Sequence, residues 1–285
     1  MLIQITNTCT FMCKHCLQDS NPEPQHMSDG LFVNALMFSR MSGSRTVILS
    51  GGEPTEHPSW AYYTDVACNC THDCKQIVIL VSNGKWLGTP NEKEMLRLLS
   101  NYDNLYLQVT SVPDFYPNSG KIVDAFDKFY ENLPEEIKDR VDLTTKLTSI
   151  VTLGRASRCK MCIDTAKKDK SKMMSCFSSN FVAIQTDFIN AIRHLELNGL
   201  SCHPLVDWKG GLHWSESWLC PSFFTIPEHV LLDEPMFDQI AEAACNVLPC
   251  CKCADYEKLR TNNYPKYVLA KYIMGKKKAH LEDGV

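Results

Sequence analysis

The sequence predicts an α/β fold: a partial (β/α)6, TIM-like barrel with a small cysteine-rich C-terminal extension. Three observations carry this. Short β-rich apolar runs alternate with helical patterns through the first two thirds of the 285 residues. The runs end in glycine-rich or polar turns. Nine of the fifteen cysteines lie from Cys159 onward, where the alternation fades. Short buried strands separated by helices argue for βα units around a parallel sheet, and their number falls short of a full eight-unit barrel.

Residues 2–6 read as the first strand, followed by a loop with three cysteines. Residues 28–41 look helical, because Leu31, Ala35 and Phe38 recur at i, i+4 and i+7 and share a face. Residues 46–49 form a strand running into Gly51-Gly52-Glu53-Pro54. The next strand, 77–81, closes on Ser82-Asn83-Gly84, and a helix follows over 92–99. In the strand at 105–110, Gln108 and Thr110 alternate with Leu107 and Val109, so both polar side chains can face a barrel lumen. A helix at 122–133 and a β-branched fifth strand at 145–152 follow. Farther on, Gly210-Gly211 between polar–aromatic runs suggests a hairpin within 208–218. The expected division is a core over 1–155, extending to about 200, and a C-terminal region over 200–285.

A net charge of −4 and a pI near 6.1 give no global positive field, which argues against nucleic acid as partner. No stretch reaches the ~20 apolar residues of a membrane span, and the N-terminus lacks the pattern of a signal peptide. The expectation is a cytoplasmic protein without a membrane partner. A reducing compartment holds few structural disulfides, so clustered cysteines there point to metal or catalysis. An isolated cysteine can still be a plain core residue, so spacing must decide.

The first cluster reads Cys9-Thr10-Phe11-Met12-Cys13-Lys14-His15-Cys16. Three thiolates within eight residues, straight after a strand, can converge on one centre. Iron–sulfur clusters take thiolate ligands at characteristic spacings. A zinc-stabilised loop remains the alternative, but it would need a fourth ligand from elsewhere. Gly51 and Gly52 lack Cβ atoms and allow close backbone approach; a simple strand-to-helix turn is the plainer reading.

This C-x3-C-x2-C run resembles the hallmark of the radical S-adenosylmethionine (SAM) enzymes. Gly51-Gly52-Glu53 resembles that family's GGE motif, Ser82-Asn83-Gly84 another recurrent turn, and His15 stands where an aromatic ring is usual. The resemblance covers roughly residues 1–155. It implies a [4Fe–4S] cluster on Cys9, Cys13 and Cys16, with the fourth iron left open for SAM. It further implies reductive cleavage of SAM to a 5′-deoxyadenosyl radical that abstracts hydrogen from a substrate, with a one-electron donor such as flavodoxin or ferredoxin. Gly51, Gly52 and Glu53 would shape the SAM site, and Ser82 and Asn83 could hold ribose or carboxylate oxygens. His15, Gln108 and Thr110 are further cofactor-binding candidates. Arg155, in a Gly-Arg-Ala element, could grip the SAM carboxylate through a fork of hydrogen bonds or simply sit at the surface.

Cys202 and Cys220 bracket the expected hairpin, and Cys250 and Cys253 form a C-x2-C pair. Together they resemble a SPASM or twitch auxiliary-cluster domain, which implies a second [4Fe–4S] cluster; a zinc ribbon would use the same spacing. Here eight residues separate Gly211 from Cys220, a departure from the SPASM spacing that favours a single auxiliary cluster. Roles are open for Cys245 and Cys251, for the group Cys159, Cys162 and Cys176, and for Cys68, Cys70 and Cys74, where a loop with His72 could form a zinc knuckle. The expected substrate is a peptide or protein, with a small molecule close behind. The first strand starts at Leu2 with no leader-binding module before it, which weighs against a peptide unless a separate protein supplies one.

Overall fold

The computed structural model describes residues 1–42, 44–73, 75–146, 154–168, 205–213 and 222–247. In chain order these form β1 (Leu2–Thr6), α1 (Asp29–Met41), β2 (Thr46–Gly51), α2 (Trp60–His72), β3 (Ile77–Ser82), α3 (Pro90–Asn101) and β4 (Leu105–Thr110). There follow α4 (Ser119–Glu131), the single turn α5 (Glu135–Lys138), β5 (Val141–Thr144), α6 (Lys160–Lys168), β6 (Leu205–Val206), β7 (Gly211–His213), β8 (Phe224–Thr225) and α7 (Glu234–Val247). One sheet orders them β5-β4-β3-β2-β1-β6-β7-β8. The pairings from β5 to β6 are parallel, and those of β6–β7 and β7–β8 are antiparallel. This is an α/β fold with a parallel-rich sheet, the class the sequence predicts.

Period-two burial makes the sheet two-faced. Val47 and Leu49, Val78 and Leu80, and Leu105, Leu107 and Val109 are all buried under the helices. The alternate residues Ser50, Val81, Gln108 and Thr110 lie on the other face and are only partly covered. Register aligns Gln4 with Ser50, Val81 with Gln108, and Gln108 with Asp142. Helix starts follow local chemistry. The Ser28 hydroxyl accepts from Leu31 N at the head of α1, and Thr89 accepts from Asn91 N ahead of Pro90 in α3. Leu31, Ala35 and Phe38 are buried together, as their spacing requires.

The structure corrects two local expectations. The segment bearing Cys68 and Cys70 is helix α2, not a loop. Tyr63, Thr64, Ala67, Cys68 and Thr71 form its buried face, and this packing overrides the weak helix propensity of the Cys, Asn and Thr run. Cys68 is fully buried and Cys70 exposed, since residues two apart on a helix face different ways. They do not converge on a zinc ion, and Cys74 lies outside the described residues. The fifth strand is Val141–Thr144, earlier than the expected 145–152, of which 147–152 fall outside the described residues. The sixth parallel strand, β6, adds to the free edge of β1, pairing Leu205 with Leu2 and Val206 with Ile3.

The predicted hairpin around Gly210-Gly211 is β6–β7. Its turn is pinned by Asp207, whose carboxylate accepts from Lys209 N and Gly211 N, each at 2.8 Å, and meets His213 Nε2 at 3.0 Å. The segment after β8 docks on α1: Asn34 Nδ2 donates to Pro227 O (2.7 Å) and Val230 O (2.8 Å), and its Oδ1 accepts from Leu232 N. Leu212, Ile226, Leu232 and Phe237 thereby join the core begun by β1–β4.

Candidate cofactor site

The site forms where β1 and β2 end side by side. Past β1 the chain makes the cysteine loop, which is tied at both ends. Asn7 N donates to Gln25 O and Cys9 N to Asn21 O, each at 2.8 Å, while Lys14 N reaches Phe115 O at 3.2 Å. The two glycines after β2 exist because this loop passes directly over them. Gly52 N donates to Thr6 O (2.7 Å) and Glu53 N to Thr8 O (2.8 Å). A Cβ on Gly51, which sits at φ +155°, would lie 2.2 Å from Thr6 O, and one on Gly52 would lie 2.2 Å from Thr8 O. The glycines thus stitch two backbones together as well as lining the site.

Glu53 is completely buried. Its Oε1 accepts from Thr55 N (3.1 Å), Thr55 Oγ1 (2.7 Å) and Ser82 Oγ (2.8 Å), and its Oε2 from Asn83 N (2.7 Å). Burial pushes the carboxyl pKa up, and these donors pull against it by favouring the charged form. Through them Glu53 locks the end of β3 to the end of β2. The Ser82 hydroxyl is fully engaged, donating to Glu53 and accepting from Gly84 N and Trp86 Nε1. Its donor and both acceptor positions are thereby taken by protein groups, although Ser82 also lines the cavity.

Between these strand ends and the loop lies a cavity of about 220 Å³. Cys9, Cys13 and Cys16 border it on the loop side, and Gly51, Gly52 and Asn83 on the strand side. Burial pushes the Cys9 thiol up to about 11 and the Cys13 thiol up to about 12, so without a metal both stay protonated at neutral pH. His15 packs against Tyr116 (ring centroids 4.8 Å apart) and Phe115 (5.5 Å). Burial, reinforced by the Arg155 charge, lowers its pKa to about 4, so the ring is neutral. Its Nδ1 is buried with no hydrogen-bond partner, as is Gln4 Oε1 beneath the loop.

Thr110 lines the cavity, whereas Gln108 lies one layer deeper and donates to Thr144 Oγ1 at 3.2 Å. Arg155 also borders it, but its guanidinium braces the loop. It donates to Cys13 O (3.0 Å) and Ser20 O and pairs with Asp19 (3.4 Å), while Arg155 N donates to Cys16 O (2.9 Å). Cys202, Cys220, Cys250 and Cys253 lie outside the described residues. Cys159 and Cys162 stand at the start of α6, with the buried Cys162 Sγ 3.6 Å from Lys14 O. Hydrogen bonds from Cys162 hold the Cys159 thiol below its ordinary pKa. Cys176 is outside the described residues.

Sequence reasoning did not find Tyr116 or Glu56. Glu56 accepts from Thr10 N (3.1 Å) and Thr10 Oγ1 (2.5 Å) and pairs with Lys85 (3.2 Å), fastening the loop between Cys9 and Cys13. Only a contact across 46 residues reveals it.

Among the described residues, no three His, Cys, Asp or Glu side chains are placed to hold a single metal ion. Cys9, Cys13 and Cys16 instead line one side of the cavity. The radical SAM superfamily model matches residues 3–154, more than half of the chain. The chain belongs to the radical SAM superfamily. Membership implies an enzyme of oxidoreductase type that uses a [4Fe–4S] cluster and SAM.

Comparison with curated proteins gave no match. Among solved structures, this radical SAM chain is similar to BtrN in complex with AdoMet and 2-DOIA, with a TM-score of 0.51 at 13% identity over 88% of this chain and 90% of BtrN. It is also similar to Streptococcus suis SuiB bound to precursor peptide SuiA, with a TM-score of 0.49 at 13% identity over 93% of this chain and 73% of SuiB. At such identity the likeness to BtrN speaks to the fold alone. The residues fit the family's cofactors in kind: three cysteines on one wall of a cavity, a glycine-lined opposite wall, and an orphaned imidazole nitrogen. Among the described residues, no helix is long and apolar enough to cross a membrane.

Proposed function

We propose that Cys9, Cys13 and Cys16 hold the [4Fe–4S] cluster, and that the enzyme reductively cleaves SAM and removes hydrogen from a peptide or protein substrate. The observation that carries this reading is the cavity itself, with three thiols on one wall and Gly51, Gly52 and Asn83 on the other. When bound, the cluster supplies the electron that splits SAM into methionine and a hydrogen-abstracting radical. The chain's own part is binding, orientation and exclusion of water. Arg155 and Glu56 fix the cysteine loop, Glu53 fixes the strand ends, and His15 with Tyr116 walls the cavity with a neutral aromatic surface. Gly51, Gly52, Asn83 and Thr110 are the candidates to face SAM.

The proposal includes a core over 1–155, extending to about 200, and a C-terminal region over 200–285. There Cys202, Cys220, Cys250 and Cys253 hold an auxiliary [4Fe–4S] cluster in a SPASM- or twitch-like arrangement. The enzyme is cytoplasmic and draws electrons from a flavodoxin- or ferredoxin-type donor. A small-molecule substrate is the second reading; BtrN, of similar fold, is in complex with 2-DOIA.

The deciding experiment is anaerobic reconstitution with iron and sulfide, followed by SAM and a one-electron reductant. 5′-Deoxyadenosine should form with wild-type protein and vanish when Cys9, Cys13 and Cys16 are all replaced by Ala. Wild-type protein that carries its clusters yet neither binds nor cleaves SAM would sink the reading.

A further inference from the structure

Asn83 follows β3 and is held at three points. Its backbone N–H donates to Glu53 Oε2 at 2.7 Å, and its side-chain Oδ1 accepts from Lys85 N at 2.9 Å. A backbone N–H can only donate, so the amide oxygen is fixed on the Lys85 side. The Nδ2 group must then face the opposite way, and there it meets Cys9 Sγ at 3.7 Å. Asn83 is only 7% exposed, so water competes weakly for this contact.

We propose that Asn83 is a positioning residue that raises the reduction potential of the cluster by hydrogen-bonding the Cys9 sulfur. This rests on the reading of Cys9, Cys13 and Cys16 as cluster ligands. Reduction adds negative charge to the cluster and its thiolates, and donors to sulfur stabilise the reduced form more than the oxidised one. Low local dielectric strengthens the effect. The placement has a second consequence. Asn83 also bonds to the buried Glu53 carboxyl group as well as to Cys9. It turns its backbone N–H to that group and its side-chain N–H to the sulfur, so the Glu53 bond helps hold the amide in place.

The test is an equilibrium redox titration, followed by electron paramagnetic resonance, of the anaerobically reconstituted full-length chain without SAM. Omitting SAM matters, because a role limited to holding SAM oxygens would leave this readout unmoved. The relevant signal is the one that SAM perturbs when added afterwards. Asn83→Leu removes the donor at similar volume. At the wild-type midpoint its reduced-to-oxidised ratio should fall roughly threefold to tenfold, on the order of 30–60 mV for a one-electron couple. Asn83→Asp keeps an acceptor for Lys85 N but replaces the donor by a carboxylate oxygen, and should fall at least as far. Variants with full iron content that titrate at or above the wild-type potential overturn the proposal. So does failure of both variants to take up iron while the wild type loads, which would make Asn83 purely structural. A wild type with no SAM-responsive cluster fails differently: it removes the ligand assignment on which the proposal stands, and the proposal with it.

Discussion

Replacing Gly52 by Ala tests how the two strand ends are joined. The new methyl carbon would sit 2.2 Å from Thr8 O, 2.6 Å from Thr8 C and 2.8 Å from Asn7 C. All three are backbone atoms, so no side chain can swing aside. Ordinary contact begins near 3.4 Å, and the loop must therefore lift by more than 1 Å. That movement breaks Gly52 N–Thr6 O and Glu53 N–Thr8 O, which run across the same seam. Forced overpacking costs about 1–3 kcal/mol, and two lost hydrogen bonds add about 1–3 kcal/mol. The expected loss is about 2–6 kcal/mol, a large share of a typical domain's stability. Urea unfolding followed by tryptophan fluorescence, under anaerobic reducing conditions, should show the midpoint falling by about 1–2 M. Gly120→Ala is the control. No atom lies within 4 Å of its added carbon, and Ala suits a helix better, so that variant should match the wild type or exceed it by up to about 1 kcal/mol. A loss under about 1 kcal/mol for Gly52→Ala would refute the close-approach argument.

Two further outcomes follow. His57 is buried, its Nδ1 accepts from Ser59 N and its Nε2–H therefore donates to Met27 O; burial lowers its pKa. The unfolded chain then binds the extra proton first, so stability is full above about pH 6.5 and is lost as pH falls below it. His57→Asn should flatten the slope of stability against pH between 6.5 and 5, by up to about 1.4 kcal/mol per pH unit, and an unchanged slope would exclude His57 as its source. In the C-terminal region, Cys202→Ala or Cys253→Ala should remove about four irons while SAM cleavage survives in some measure. Stoichiometric zinc with unaltered iron in cleanly prepared protein would replace that cluster with a ribbon.

The first four strands were legible because alternation is local: Leu105 to Thr110 announces two faces without reference to anything distant. The cysteine triplet and the glycine pair were legible for the same reason. What the sequence hid depends on the partner. Ser82 and Arg155 looked like ligand-binding groups by type and position, yet one hydroxyl is engaged by Glu53 and Trp86, and one guanidinium by loop carbonyls. Helix α2 was hidden because its polar Cys, Asn and Thr run carries a weak helix propensity, and only packing on the sheet makes it a helix. The Glu56 clasp on Thr10 joins residues with no pattern between them. Strand β6 is two residues long and gains its identity from β1.

That last pairing bears on how the chain is made. Leu2 and Ile3 leave the ribosome some two hundred residues before their strand neighbours Leu205 and Val206. At about 5–20 residues per second, the growing chain waits roughly 10–40 s with one margin of β1 unpaired. An unpaired strand margin is a template for wrong partners. A chain cut short before residue 205 keeps that margin open for good, so a tidy truncation to the family-matching segment invites aggregation, while the longer polypeptide finishes its own seam.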